Sequence, residues 1–339
     1  MNAATSVGSM IRKNVETLIF DHLTFVEAAT QIRKRVQDTL DGFNPCFEML
    51  LGPSRCGKTE VLEAIAREFP PSATEGVRCF PVLIVYVPSG GGTRALDEAV
   101  IQALGVPVPK NLTGENGLKQ FMFTQLKRAN VRVILFDEAS HLVEKGARIV
   151  SAAAGDWFKV LHTKAVNIGV VMSGVPRLKR LIDENVQLRN RVGRPIVLPP
   201  YRFDEPKHRR AFANCVAAFV AEFEDSGCML KVDLNTMVRH SYAVSAGHVG
   251  LLADFFGALA QKITIPCDIT LELCEQASQS RNLPGDGYVH PFLDTRIDDD
   301  QLMAILSAEL GKYDLVLPPL SCLRSPSGSS SVNEGEAYV

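Results

Sequence analysis

Residues 52–59 are Gly52, Pro53, Ser54, Arg55, Cys56, Gly57, Lys58 and Thr59, a G-x-x-x-x-G-K-[ST] pattern followed by Glu60. An apolar run, "CFEMLL" from Cys46, precedes it, and a helical pattern opens at Lys58. Two glycines let the backbone turn tightly, so that successive N–H groups can surround phosphate oxygens. The helix N-terminus adds a favourable dipole. Lys58 is placed to reach β/γ-phosphates, and the Thr59 hydroxyl to ligate Mg2+. A chance glycine turn before a helix would explain the glycines alone, but not the lysine and threonine in this context.

Three further groups follow in chain order. "VRVILFDEASHL" ends a buried-strand pattern in Asp137 and Glu138. Ligands sit at the carboxyl ends of strands in open parallel sheets. Asp137 there would hold the magnesium shell, and Glu138 would act on an attacking water as general base. An isolated acidic pair more often caps the next helix; its position about 80 residues after a phosphate loop, on its own strand, favours hydrolysis. In "VVMSGVPRLKRLI", Ser173 ends another strand and either senses a γ-phosphate or only forms the turn. "QLRNRVGRPIVL" concentrates Arg189, Arg191 and Arg194. One of them reaching a neighbouring subunit's γ-phosphate would be an arginine finger; the alternative is a solvated basic turn.

These residues need a scaffold that brings strand ends together. "PVLIVYV" (81–87), "VRVILF" (131–136), "VNIGVVMS" (166–173) and "RPIVLPPY" (194–201) read as strands. Helical spacing fits 59–69, 94–104, 115–129, about 145–164 and onward from about 176. Alternation of this kind predicts an α/β fold with a parallel sheet flanked by helices. Ahead of it, "HLTFVEAATQIRKRVQDTL" spaces Phe25, Ala29, Ile32, Val36 and Leu40 as one helix face. After Tyr201 strands are no longer expected. "HRRAFANCVAAFVAEF", "HVGLLADFFGALAQKI" and "DITLELCEQASQS" read as helices, the last capped by Asp268. The expected division is a helical lead-in (1–45), a nucleotide-binding core (46–202), a helical lid (203–281), a less regular extension (282–320) and a disordered tail (321–339).

Composition narrows the setting. The 339 residues carry 36 basic and 38 acidic side chains, a net charge of -2, so attraction to nucleic acid must come from a local basic patch. Eight cysteines show no CxxC pair or Cys/His metal spacing, which points to a reducing compartment. No apolar run approaches about 18 residues, so a membrane span is not expected and a cytoplasmic location is.

The ordered motif set resembles the AAA+ ATPases. "VYVPSGGGTRALDEAVIQALGVPVP", "QLRNRVGRPIVLPPYRF" and "SAGHVGLLADFFGALAQKI" look like the TniB/TnsC group of transposition ATPases, over about residues 20–280. The resemblance implies a P-loop AAA+ core with a small helical lid, ATP and Mg2+ as ligands, and ATP hydrolysis. It also implies assembly on double-stranded DNA as a ring or filament in a bacterial cytoplasm, with a transposase and a TniQ-type targeting factor as partners. By position it makes Arg191 the finger, with Arg189 and Arg194 as alternates. It places Arg94, Lys110 and nearby Lys119 against the DNA backbone. Two departures stand out: Val175 replaces a frequent sensing threonine, and Gly250-Leu251 replaces a frequent Gly-Arg of the lid, leaving His248 or another arginine to substitute. The rivals are an AAA+ helicase loader or replication initiator, which a winged-helix domain would favour, and a STAND-type signalling scaffold, which a repeat domain would favour. Neither feature is evident.

Overall fold

The computed structural model describes residues 6–18, 22–74, 77–89, 92–110, 112, 115–143, 148–163, 167–279, 284, 289–294 and 296–316. The expected tail at 321–339 lies outside the described residues, as do Gly90 and Gly91 of the "SGGGT" turn. In chain order, α1 (Val7–Thr17) and α2 (Leu23–Leu40) lead into β1 (Phe47–Leu51) and α3 (Lys58–Glu68). A small antiparallel hairpin, β2 (Ser72–Thr74) and β3 (Val77–Cys79), precedes β4 (Val82–Tyr86), α4 (Thr93–Ala103) and α5 (Glu115–Arg128). Then come β5 (Val133–Asp137), a 3-10 turn (Ala139–Val143), α6 (Arg148–Leu161) and β6 (Gly169–Gly174). A 3-10 turn (Pro176–Lys179) and two single-turn helices, α7 (Arg180–Asp183) and α8 (Val186–Arg189), lead to β7 (Ile196–Val197).

The five main strands form one parallel sheet in the order β4-β5-β6-β1-β7. Both faces are covered. Phe47, Met49, Ile134, Phe136, Val170 and Met172 pack into a core with α4, α5 and α6. The alternate residues Leu50, Val133, Leu135 and Val171 pack with α2 and α3 on the other face. This explains why the strands read as continuous apolar runs instead of alternating ones. On α2, Phe25, Ala29, Ile32 and Val36 are buried as spaced, and Ala28 joins them.

A third core is helical. It unites α9 (Pro206–Glu224), α10 (Leu234–Ser245), α11 (Val249–Gln261), α12 (Leu271–Ser278) and α13 (Asp299–Gly311). Phe212, Val216, Phe219, Val220 and Phe223 are buried along one face of α9. Ile11 and Val15 of α1 belong to this core, whereas α2 belongs to the sheet, so the lead-in divides between two units. Among the described residues no single helix is long and apolar enough to cross a membrane.

Three expectations need correction. Strand pairing does not stop at Tyr201: β8 (Met229–Leu230) pairs with β9 (Asp268–Ile269). Asp268 lies in that ladder, and Thr270 caps α12, its side chain accepting from Leu273 N. The extension beyond residue 281 contains a full helix, α13, opened by a capping box between Asp298 and Gln301. Its Leu302, Ile305, Leu306 and Leu310 are buried.

Candidate nucleotide-binding and catalytic site

The carboxyl ends of β1, β5 and β6 meet in a cleft of about 360 Å³. Strand β1 is buried throughout and delivers the chain to Gly52, whose N–H donates to the Gly174 carbonyl at the end of β6 (3.1 Å). The loop then closes at Gly57, held at φ 88°, a left-handed conformation that favours glycine. Gly57 is the N-cap of α3 and supplies no side-chain cap, so the first N–H groups of the helix remain available to an anion.

Lys58 is half-buried and curls over the loop, its ammonium donating to the carbonyls of Gly52 (3.0 Å) and Pro53 (2.7 Å). Burial lowers its pKa, and the charges of Asp137 and Glu138 work against that shift. Phosphate oxygens would supply the anionic partners that loop carbonyls only approximate. Cys56, beside it, is 4% exposed, and burial pushes its thiol up to about 12. It is therefore a packing residue. Pro53 is buried, while Ser54, Arg55 and Glu60 are exposed. Burial raises the pKa of Glu60, assisted by Glu63.

Asp137 is the hub of the site. It is 2% exposed, and both its oxygens are engaged. Thr59 Oγ1 donates to Oδ2 at 2.6 Å, while the Ser173 hydroxyl and the Glu138 N–H (2.9 Å) donate to Oδ1. One buried carboxylate therefore links the phosphate loop, the acidic pair and the candidate sensor. Among the described residues no group of three or more His, Cys, Asp or Glu could hold a metal by itself. A carboxylate plus a hydroxyl, completed by phosphate and water, is a donor set that suits Mg2+.

Glu138 follows at φ 54°, and its largely exposed side chain lies 3.3 Å from His141 Nε2. A non-glycine residue in this conformation costs about 1–2 kcal/mol. Backbone strain of this kind clusters at functional sites. Sequence reasoning passed over three lining residues: Ser140, His141 and Arg177. The Ser140 hydroxyl accepts from Val175 N (2.6 Å) and so fixes the turn beyond β6. The "ASH" that follows the acidic pair was the available signal.

His248 does not stand in for a lid arginine in this arrangement. Its Nδ1 lies 3.0 Å from the Ser245 carbonyl and 3.1 Å from that of Ala246, so the ring is fixed in the joint between α10 and α11. It is not among the described residues that line the cleft. Leu251 is half-buried.

The arginine segment lies apart from the cleft. Asn185 caps α8 by accepting from Leu188 N (3.2 Å), buried Leu188 anchors it, and Gly193 N donates to the Phe47 carbonyl (2.9 Å). Arg189, Arg191 and Arg194 are all exposed, with Arg191 Nη1 3.5 Å from the Lys159 carbonyl. None of the three is among the described residues lining the cleft. Arg94, Lys110 and Lys119 belong to the packed pair α4–α5 and the turn between them. Lys110 is exposed and Lys119 half-buried. Arg94 pairs with Glu98 (3.0 Å) and donates to the Leu112 carbonyl (3.3 Å).

The family described as bacterial TniB protein matches residues 13–203, more than half of the chain. No curated protein matches it. Among solved structures, the Aeropyrum pernix ORC2 protein, in ADPNP–ADP complexes, is 15% identical with a TM-score of 0.55, covering 91% of this chain and 86% of that chain. Cdc6p from Pyrobaculum aerophilum is 14% identical with a TM-score of 0.54, covering 75% of this chain and 66% of that chain. The Aeropyrum pernix ORC1 protein, in complex with DNA, is 13% identical with a TM-score of 0.52, covering 85% and 83%. The fold is that of the P-loop AAA+ ATPases: a five-stranded parallel sheet flanked by helices.

Proposed function

The chain belongs to the TniB family, and from that premise we propose that it is an ATP-hydrolysing protein that assembles on double-stranded DNA and activates a partner transposase. The observation that carries the ATPase reading is the hydrogen bond between Thr59 and buried Asp137, which joins the phosphate loop to the acidic pair. The phosphates of ATP lie across the N-terminus of α3, where Lys58 takes β/γ oxygens. Thr59 and Asp137 would hold Mg2+, which would supply charge neutralisation on the phosphates. The base fits the adjoining cleft of about 510 Å³ between α1, α3 and α11, which shares Arg55, Gly57, Glu60 and Gly250 with the first.

Glu138 orients the attacking water and accepts its proton, and Ser173 holds Asp137 in register. The exposed arginines lie away from their own cleft, which suits action on a neighbour's nucleotide. We assign the finger to Arg191, with Arg189 and Arg194 as alternates. A finger supplied in trans makes hydrolysis depend on assembly. DNA meets the α4–α5 pair through Lys110, Lys119 and Arg94. Each contact is weak alone, and repetition along a ring or filament multiplies them. A TniQ-type factor directs the assembly to its target.

Electron microscopy with duplex DNA and a non-hydrolysable ATP analogue tests this reading. Rings or filaments on DNA are expected. Monomers under every nucleotide and DNA condition would remove the assembly from the account.

A further inference from the structure

The phosphate loop meets the helical unit at two of its residues: Ser54 N donates to the Tyr313 hydroxyl (3.2 Å), and Arg55 makes the contacts with α11. Arg55, the fourth of the motif, sits at φ 66°, an unusual conformation for a residue with a side chain. Its carbonyl accepts a hydrogen bond from Gly250 N (2.9 Å) in the first turn of α11. Its guanidinium pairs with Asp254, one turn further along the same helix. The approach is too close for any side chain at position 250: a Cβ there would come within 2.6 Å of the Arg55 carbonyl.

Arg55 also stands where the two clefts join. Together with Gly57, Glu60 and Gly250 it lines both the catalytic cleft and the larger one under α1. A nucleotide with its base in one and its phosphates in the other passes this guanidinium. The Arg55 side chain is 51% exposed and that of Asp254 24%, so their pair is reachable by solvent and weak. A phosphate chain carries more negative charge than one carboxylate and suits the planar donor fork of arginine.

We propose that Arg55 is a nucleotide-positioning residue and that its pair with Asp254 is a lid latch which the incoming phosphates open. The guanidinium leaves Asp254 for the phosphate chain as the nucleotide seats. With Leu251 where a lid arginine is expected, α11 registers the nucleotide by losing a tie to the loop, not by reaching the γ-phosphate. The inference rests on the nucleotide reading of the cleft.

The test is calorimetric titration of an ATP analogue with Mg2+ into the full-length protein and its variants, each checked for cooperative thermal unfolding. Asp254→Asn removes the competitor and is expected to tighten binding a few-fold. Arg55→Gln is expected to weaken binding roughly tenfold or more, with Arg55→Lys in between. The double variant is expected to bind as Arg55→Gln alone, because the latch needs the Arg55 guanidinium. Asp254→Asn binding no tighter than wild type, or independent additive effects in the double variant, would overturn the latch while leaving the cleft reading intact. If wild type binds no nucleotide, or Lys58→Ala binds as wild type does, the cleft reading fails and the latch falls with it.

Discussion

In the cleft, Asp137 is 2% exposed and receives hydrogen bonds from Thr59, Ser173 and the Glu138 backbone. In the segment 186–194, buried Leu188 and the Gly193 backbone hold the chain, while Arg189, Arg191 and Arg194 stand in solvent. The first region has its functional groups fixed by one another. The second has its backbone fixed and its arginines exposed, Arg191 resting 3.5 Å from the Lys159 carbonyl. The contrast fits a division of labour: groups that act within one subunit are organised in advance, and groups that act on a neighbour wait for it. Preorganised dipoles and charges stabilise a transition state without reorganising at the moment of reaction. An arginine that must cross an interface cannot be preorganised by its own chain.

The largest effect expected on the cleft side is from Lys58→Ala. It removes the cation that curls over the loop, and ATP binding should become undetectable by calorimetry. Unchanged affinity would mean that residues 52–59 are not a phosphate cradle. Ser173→Ala sharpens the same side. It removes one donor from the buried carboxylate, and hydrogen bonds to charged groups contribute about 1.5–3 kcal/mol. Hydrolysis should fall roughly tenfold or more with binding retained. A change below about twofold would reduce Ser173 to a turn former.

The smallest expected effect probes the lid joint. Burial holds His248 below the ordinary histidine range, with Glu309 working against the shift and Lys58 reinforcing it. The folded protein therefore takes up this proton at lower pH than the unfolded chain does. Stability from this group is fully present above about pH 6.5 and declines as pH falls below it, by at most about 1.4 kcal/mol per pH unit. Urea unfolding from pH 8 to 5.5 should show a shallower decline in His248→Asn than in wild type. Equal slopes would remove His248 as a cause.

The cleft was more legible in the sequence than the segments around it, for physical reasons. Strands buried on both faces are continuous apolar runs, and the residues at their carboxyl ends inherit their place from the sheet. Asp137 and Ser173 could thus be placed at strand ends, although their hydrogen bond joins residues 36 apart. Ser140, His141 and Arg177 enter the cleft because β5 and β6 are neighbours, and strand order is not written locally. Asp268 looks like a cap until its pairing with Met229 is known. The docking of α1 against α11 joins segments far apart in the chain and has no local signature. The oversight at α13 is different in kind. Asp298, Gln301 and the spacing of Leu302, Ile305 and Leu306 were all present, and the surrounding acidic and proline-rich residues masked them.

The division of labour itself is tested by mixing two damaged subunits in the presence of duplex DNA. On the proposed reading Glu138→Gln should bind ATP but lose the base, an effect of about 10²–10⁴-fold in rate. On the same reading Arg191→Ala should keep an intact cleft but offer no finger, an effect of about 10³-fold or more. Each should be nearly inactive alone. In the mixture, an Arg191→Ala cleft facing the finger of a Glu138→Gln neighbour is complete, so hydrolysis should recover to a substantial fraction of wild type. A mixture no more active than the sum of its parts would contradict the account and leave Arg191 acting within its own subunit or only in structure.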